Sequence, residues 1–115
     1  MLKRVLEEFL QIEGVTTAAL IAHDGFLIES VGSIHVDKDA LAALGSCAMQ
    51  FFSHAGAVLD KGRARQFVLE YLNGTIIFTQ VSDEEMLAVI TGIRSPPGHL
   101  VHILPKITTR INTVI

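Results

Sequence analysis

Between Ala40 and Leu59 the chain runs twenty residues without an Asp, Glu, Lys or Arg, although charged residues make up 18% of the sequence. A stretch of that length is enough to span a bilayer. Its details argue for a soluble helix instead. Gly45, Ser46, Gln50, Ser53, His54 and Gly56 dilute the apolarity, Asp37, Lys38 and Asp39 crowd the start, and no Trp or Tyr marks either interface. No membrane insertion is expected. Placed at about 100° per residue, the segment divides into three faces. Leu41, Leu44, Ala48, Phe51, Ala55 and Val58 form an apolar stripe at 3/4 spacing, wide enough to sit on the domain's own core. Ala42, Gly45, Met49, Phe52 and Gly56 form a second stripe, whose small residues suit the close approach of another backbone. The third face, Ala43, Ser46, Cys47, Gln50, Ser53, His54 and Ala57, is mildly polar. A chain of 115 residues buries only about two-thirds of its surface and has little material for a third layer. A partner, most simply a second copy, is therefore expected to cover the second stripe.

Composition narrows the class. Half of the residues are hydrophobic and the net charge is -3, so neither disorder nor nucleic-acid binding through a basic surface is favoured. The single cysteine, Cys47, allows no intrachain disulfide and no cysteine-based zinc cluster, and reads as a small packed hydrophobe. Glu7 and Glu8 interrupt the stretch that a signal peptide would keep apolar, so a cytoplasmic location is expected. No repeat or long linker divides the chain, and residues 1–115 read as one domain.

Residues 2–12 place Leu2, Val5, Leu6, Phe9, Leu10 and Ile12 on one side of an amphipathic helix closed by Gly14. Val15 to Ala22 reads as a strand apolar on both faces, turned by His23-Asp24-Gly25 into an edge-like strand, Phe26 to Val31. Asp37 suits the N-cap of the long helix, which ends near Leu59. Gln66 to Leu72 and Thr75 to Val81 flank Asn73-Gly74, a pair suited to a type I′ turn, which predicts Tyr71 opposite Ile76, Leu69 opposite Phe78 and Phe67 opposite Gln80. Met86 to Gly92 is again apolar on both faces and reads as central. After the loop at Ser95-Pro96-Pro97-Gly98, a final helix carries Leu100, Leu104, Ile107, Ile111 and Val114, with a kink expected at Pro105.

The element order is α-β-β-α-β-β-β-α, an α+β chain. The two most apolar strands belong side by side in the middle, which gives a five-stranded antiparallel sheet in the order 2-1-5-4-3. Gln66 to Leu72 then lies on an outer edge with only Arg63, Arg65 and Glu70 to protect it, so pairing with the same edge of a second copy is expected. Two separate features thus converge on one homodimer, with an interface of Ala42, Gly45, Met49, Phe52, Gly56, Phe67, Leu69 and Tyr71.

GVTTAALIAHDGFLIES at 14–30, DALAALGSCAMQFF at 39–52, QFVLEYLNGTIIFTQV at 66–81 and MLAVITG at 86–92 together resemble the roadblock/dynein-light-chain family over essentially the whole chain. The resemblance implies the long helix on one face of the sheet and the terminal helices on the other, with dimers formed through edge strands and paired long helices. It also implies a function. Members act as non-catalytic regulators and scaffolds for small Ras-like GTPases, bacterial members sit beside such GTPases in polarity and motility systems, and others attach cargo to dynein. The Pro96-Pro97 loop and Pro105 depart from the family pattern.

No motif for catalysis stands out. His23-Asp24 followed by Gly25 reads as a turn, and His99 and His102 have metal-ligand spacing without a third ligand near them in sequence. Arg63 and Arg65 read as guards of the edge strand in preference to arginine fingers. The expectation is a protein that is no enzyme, with no cofactor and no metal. Its homodimer would dock a small Ras-like GTPase through Ser33, His35, Lys38, Ser46, Gln50, Ser53 and His54. The alternatives are an adaptor subunit that binds no GTPase, and a small-molecule sensor, which requires a sizeable apolar pocket.

Overall fold

The computed structural model describes residues 1–92 and 97–115, the side chains of 97–104 and 107 excepted. Helix α1, Leu2–Glu7, buries Val5 and Leu6 and then tightens into a 3-10 turn at Glu8–Gln11 around the buried Phe9. The single helix predicted over 2–12 therefore ends early, and Ile12 is already extended. Strands β1 (Val15–Ala22) and β2 (Leu27–Gly32) form the first hairpin. Helix α2 follows at Lys38–Val58, with the Asp37 carboxylate accepting from the Ala40 amide as the predicted N-cap. Strands β3 (Gln66–Tyr71), β4 (Gly74–Gln80) and β5 (Glu85–Thr91) complete the sheet, and α3, Pro97–Val114, ends the chain.

The sheet order is β2-β1-β5-β4-β3, every pair antiparallel, as the placement of the doubly apolar strands predicts. Alternation along the central strands sends side chains to two cores. Ala18 and Leu20 of β1, Ile77 of β4, and Leu87 and Val89 of β5 meet Val5, Leu6 and Phe9 on one face, with Ile111 of α3 among them. Ala19, Ile21, Phe78, Met86 and Ala88 meet Leu41, Ala42 and Met49 of α2 on the other. An ion pair from Arg110 to Glu8 ties α3 to the first 3-10 turn. The helix continues through Pro105, whose carbonyl accepts from the hydroxyls of Thr108 and Thr109 at 3.1 and 2.9 Å. Leu100, Leu104 and Ile107 of the predicted stripe lie outside the described side chains.

The β3–β4 hairpin corrects the expected register by two residues. Leu69 lies opposite Ile76, Phe67 opposite Phe78 and Tyr71 opposite Gly74, so Leu72 and Asn73 form the turn. The cause is Gly74. It has φ +144° and lies so close to the Thr91 carbonyl of β5 that any Cβ there would collide with it, so it is needed inside the strand and not at the turn. A slip of two residues keeps every side chain on its predicted face.

The two stripes of α2 are exchanged relative to expectation except at Leu41, which is buried in the core as expected, and Phe52, which is exposed. Leu41, Ala42, Gly45, Ser46 and Met49 are the buried positions, whereas Leu44, Phe51 and Val58 point away from the sheet. The sheet surface explains the exchange, because Phe67, Phe78, Ile21 and Met86 already fill the space beneath the helix. Bulk on the sheet calls for small residues above it. A Cβ on Gly45 would lie 2.5 Å from Cε1 of Phe78, and one on Gly56 would collide with the Gly62 carbonyl. Gly45→Ala is accordingly expected to destabilise the fold in urea unfolding. Overpacking costs about 1–3 kcal/mol and exceeds the helix-propensity gain of about 1 kcal/mol.

Candidate interaction surface

Because the small residues of α2 face inward, the large ones face out. Leu44 is 67% exposed, Phe51 69% and Val58 71%, while Met49 in the other stripe keeps 1%. Ala42 and Gly45 are buried as well, so Ala42, Gly45 and Met49 have no surface left to give to a second copy and leave the expected interface. Phe52 stands between the two faces at 41% exposure. Its ring lies 5.5 Å from that of Phe51 in a T-shaped arrangement and 5.2 Å from Phe67 of β3. Phe67 in turn stacks on Phe78 at 4.8 Å. This run of four rings joins the outward face of α2 to the edge strand and then to the core.

Strand β3 pairs only with β4, so its second row of backbone groups forms one edge of the sheet. Phe67 and Leu69 are half-buried beside α2, and Tyr71 and Leu72 are exposed at the far end. The outward stripe of α2 and the β3 edge thus adjoin across Phe52 and Phe67 in one apolar surface.

The polar face of α2 separates into clamps and exposed groups. The Ser46 hydroxyl donates to the His23 carbonyl at 2.6 Å and accepts from the Gln50 amide at 3.2 Å. The Ser53 hydroxyl accepts from the Ala64 amide at 3.1 Å. Ser46 pins the β1–β2 turn and Ser53 pins the segment entering β3. Both are corrected from partner contacts to internal ties. Their spacing from Gln50 conceals this, since the loops they hold are 23 and 11 residues away in sequence. Gln50 and His54 remain at the surface, together with Ala43, Cys47 and Ala57.

In the loop before α2, the Ser33 amide donates to the Thr16 carbonyl at 3.0 Å and its hydroxyl accepts from the His35 amide at 3.2 Å. His35 is exposed, Lys38 is half-buried, and Ile34 stands out at the tip. Lys38 lies about 18 Å along the helix axis from Gln50, by the rise of about 1.5 Å per residue. Lys38 also lies about 120° around the helix from Gln50, at about 100° per residue, so the loop and the Gln50/His54 pair share neither a cluster nor a helix face. His23-Asp24-Gly25 is a turn as predicted, with the Gly25 amide donating to the Ala22 carbonyl at 2.9 Å. His99 and His102 lie outside the described side chains. Among the described residues no three His, Cys, Asp or Glu converge as a metal site.

The periodicity of α2 reveals the bulky outward residues without revealing which side they take. The signal that places them lies in the sheet, in Phe67 and Phe78 beneath Gly45. Ser46→Ala is expected to cost about 1 kcal/mol in urea unfolding through loss of its hydrogen bonds. His54→Ala should stay within about 0.5 kcal/mol of the parent.

A family model described as Roadblock/LC7 domain matches residues 1–91. Among solved structures, a Roadblock/LC7 domain from Streptomyces avermitilis superposes with a TM-score of 0.88 at 22% identity, covering 97% of this chain and 95% of that one. Myxococcus xanthus MglB gives a TM-score of 0.90 at 18% identity, over 98% of this chain and 93% of that one. The gliding protein MglB from Thermus thermophilus gives 0.88 at 18% identity, over 98% and 87%. Likeness at these identities is likeness of fold. No curated protein matches the sequence.

Proposed function

The chain belongs to the Roadblock/LC7 family, and from that premise we propose that it is a homodimeric, non-catalytic regulator of a small Ras-like GTPase. The observation that carries the dimer is the outward apolar stripe of α2, Leu44, Phe51 and Val58, continuous through Phe52 with the edge strand β3. Covering the stripe with its copy removes apolar side chains from water, and pairing β3 with its copy satisfies the edge backbone. The interface is then Leu44, Phe51, Phe52, Val58, Phe67, Leu69 and Tyr71. Phe52 and the expected positions on β3 are kept, and Ala42, Gly45, Met49 and Gly56 give way to Leu44, Phe51 and Val58.

The GTPase part of the reading is supported by the family resemblance and by the shared fold with the two MglB proteins. The surface left over for that partner is two separate patches, Ser33, His35 and Lys38 at the start of α2 and Gln50 and His54 on its polar face. These residues offer hydrogen-bonding and weakly basic groups without an arginine finger, so the groups that act on the nucleotide belong to the GTPase. An adaptor that binds no GTPase would use the same dimer. A sensor needs an apolar pocket, and the largest described cleft is lined by arginine, glutamine and threonine instead.

Light scattering on the purified chain is expected to give a dimer, and Phe51→Glu a folded monomer, since the change places a charge at the centre of the contact. Met49→Glu should instead unfold the chain, because Met49 lies in the core beneath α2. Mixed with a small Ras-like GTPase of its host, the dimer is expected to co-elute in one nucleotide state and to alter single-turnover GTP hydrolysis. No association in either the GTP or the GDP state would sink the regulator reading and leave the adaptor.

A further inference from the structure

At the end of the sheet where α2 hands over to β3, the chain crosses between two cavities. Residues 60–65 leave the helix through Asp60, at φ +63°, and Gly62, at φ +80°. The segment is then held by four bonds to its backbone: the Asp60 amide to the Ala57 carbonyl at 3.2 Å, the Lys61 amide to the Gly56 carbonyl at 2.7 Å, the Ala64 amide to the Ser53 hydroxyl at 3.1 Å, and the Gln80 amide to the Arg65 carbonyl at 2.8 Å. Ala64 packs toward the core under α2. Its neighbours Arg63 and Arg65 border both that side, in a small cavity with Met49 and Ser53, and the opposite one. They form one wall of a cleft of about 550 Å³ between the β3–β4 end of the sheet and α3, completed by Gln66, Thr79, Gln80, Pro105 and Thr108.

The chemistry of this cleft is one-sided. Among the described residues no carboxylate lines it. Arg63 reaches Asp83 at 3.4 Å in an exposed pair that water screens, and the Arg65 side chain has no partner among the described residues. Thr79 is buried at 8% exposure. Two guanidinium groups on a segment whose backbone is hydrogen-bonded, one of them with no acidic partner among the described residues, stand beside hydroxyl and amide groups, and phosphate oxygens accept paired N–H donors of this kind. The volume exceeds that of one anion and falls in the range of small-molecule sites.

We propose that the Arg63/Arg65 cleft binds the phosphate group of a small phosphorylated molecule or of free phosphate. The site adjoins the start of β3 at Gln66 and lies apart from the outward stripe of α2, and it rests on this chain alone. Amide and arginine side-chain NMR signals of the full chain, titrated at constant ionic strength with inorganic phosphate, adenosine monophosphate and acetate, test it. Saturable shifts at Arg65, Thr79 and Thr108 are expected with phosphate and absent with acetate. Arg65→Gln should weaken binding about tenfold or more, since a charged bidentate donor is lost. Arg65 is exposed, so the parent spectrum elsewhere should persist in that variant. Tighter binding of the nucleotide assigns the remaining volume to an ester, and equal binding assigns the site to the free anion. Acetate binding as well as phosphate, shifts unchanged in Arg65→Gln, or no saturable shift would overturn the proposal.

Discussion

The seating of Gly45 over the ring of Phe78 sets how closely α2 can lie on its sheet. A helix pressed that near leaves room at its centre for small residues and only Leu41 and Met49 beside them, and Leu44, Phe51 and Val58 are turned to the outside. The fold and the exposed apolar surface are two results of one contact.

Much of the architecture is readable in the sequence because it depends on local rules. The doubly apolar runs at β1 and β5 place those strands in the middle, Asp37 caps α2, and His23-Asp24-Gly25 turns the first hairpin. Where structure and expectation differ, contacts distant in sequence decide the outcome. Gly74 reads as a turn residue beside Asn73, but the carbonyl of Thr91 on another strand requires it inside β4. The choice between two equally regular stripes on α2 is made by Phe67 and Phe78, which no helical periodicity contains. Ser46 and Ser53 look like exposed polar groups because the loops that consume their hydrogen bonds are far along the chain.

Once those two serines are taken up, α2 serves three neighbours with three faces. Small residues meet the sheet, large apolar residues await cover, and the Gln50/His54 side stays polar. Ser46 and Ser53 sit at the boundary and hold the adjoining turns at fixed height against the helix. The segment carrying Arg63 and Arg65 inherits its position from one of these ties. The placement of that cationic wall is therefore a by-product of how α2 is anchored.

The chain contains one tyrosine and no tryptophan. Tyr71 is that tyrosine, exposed at the end of β3 and opposite Gly74. The protein's intrinsic ultraviolet emission beyond phenylalanine therefore originates at a single point on the open edge of the sheet. Events at that edge carry their own optical label, while events at the opposite edge, along β2, are silent in the same signal.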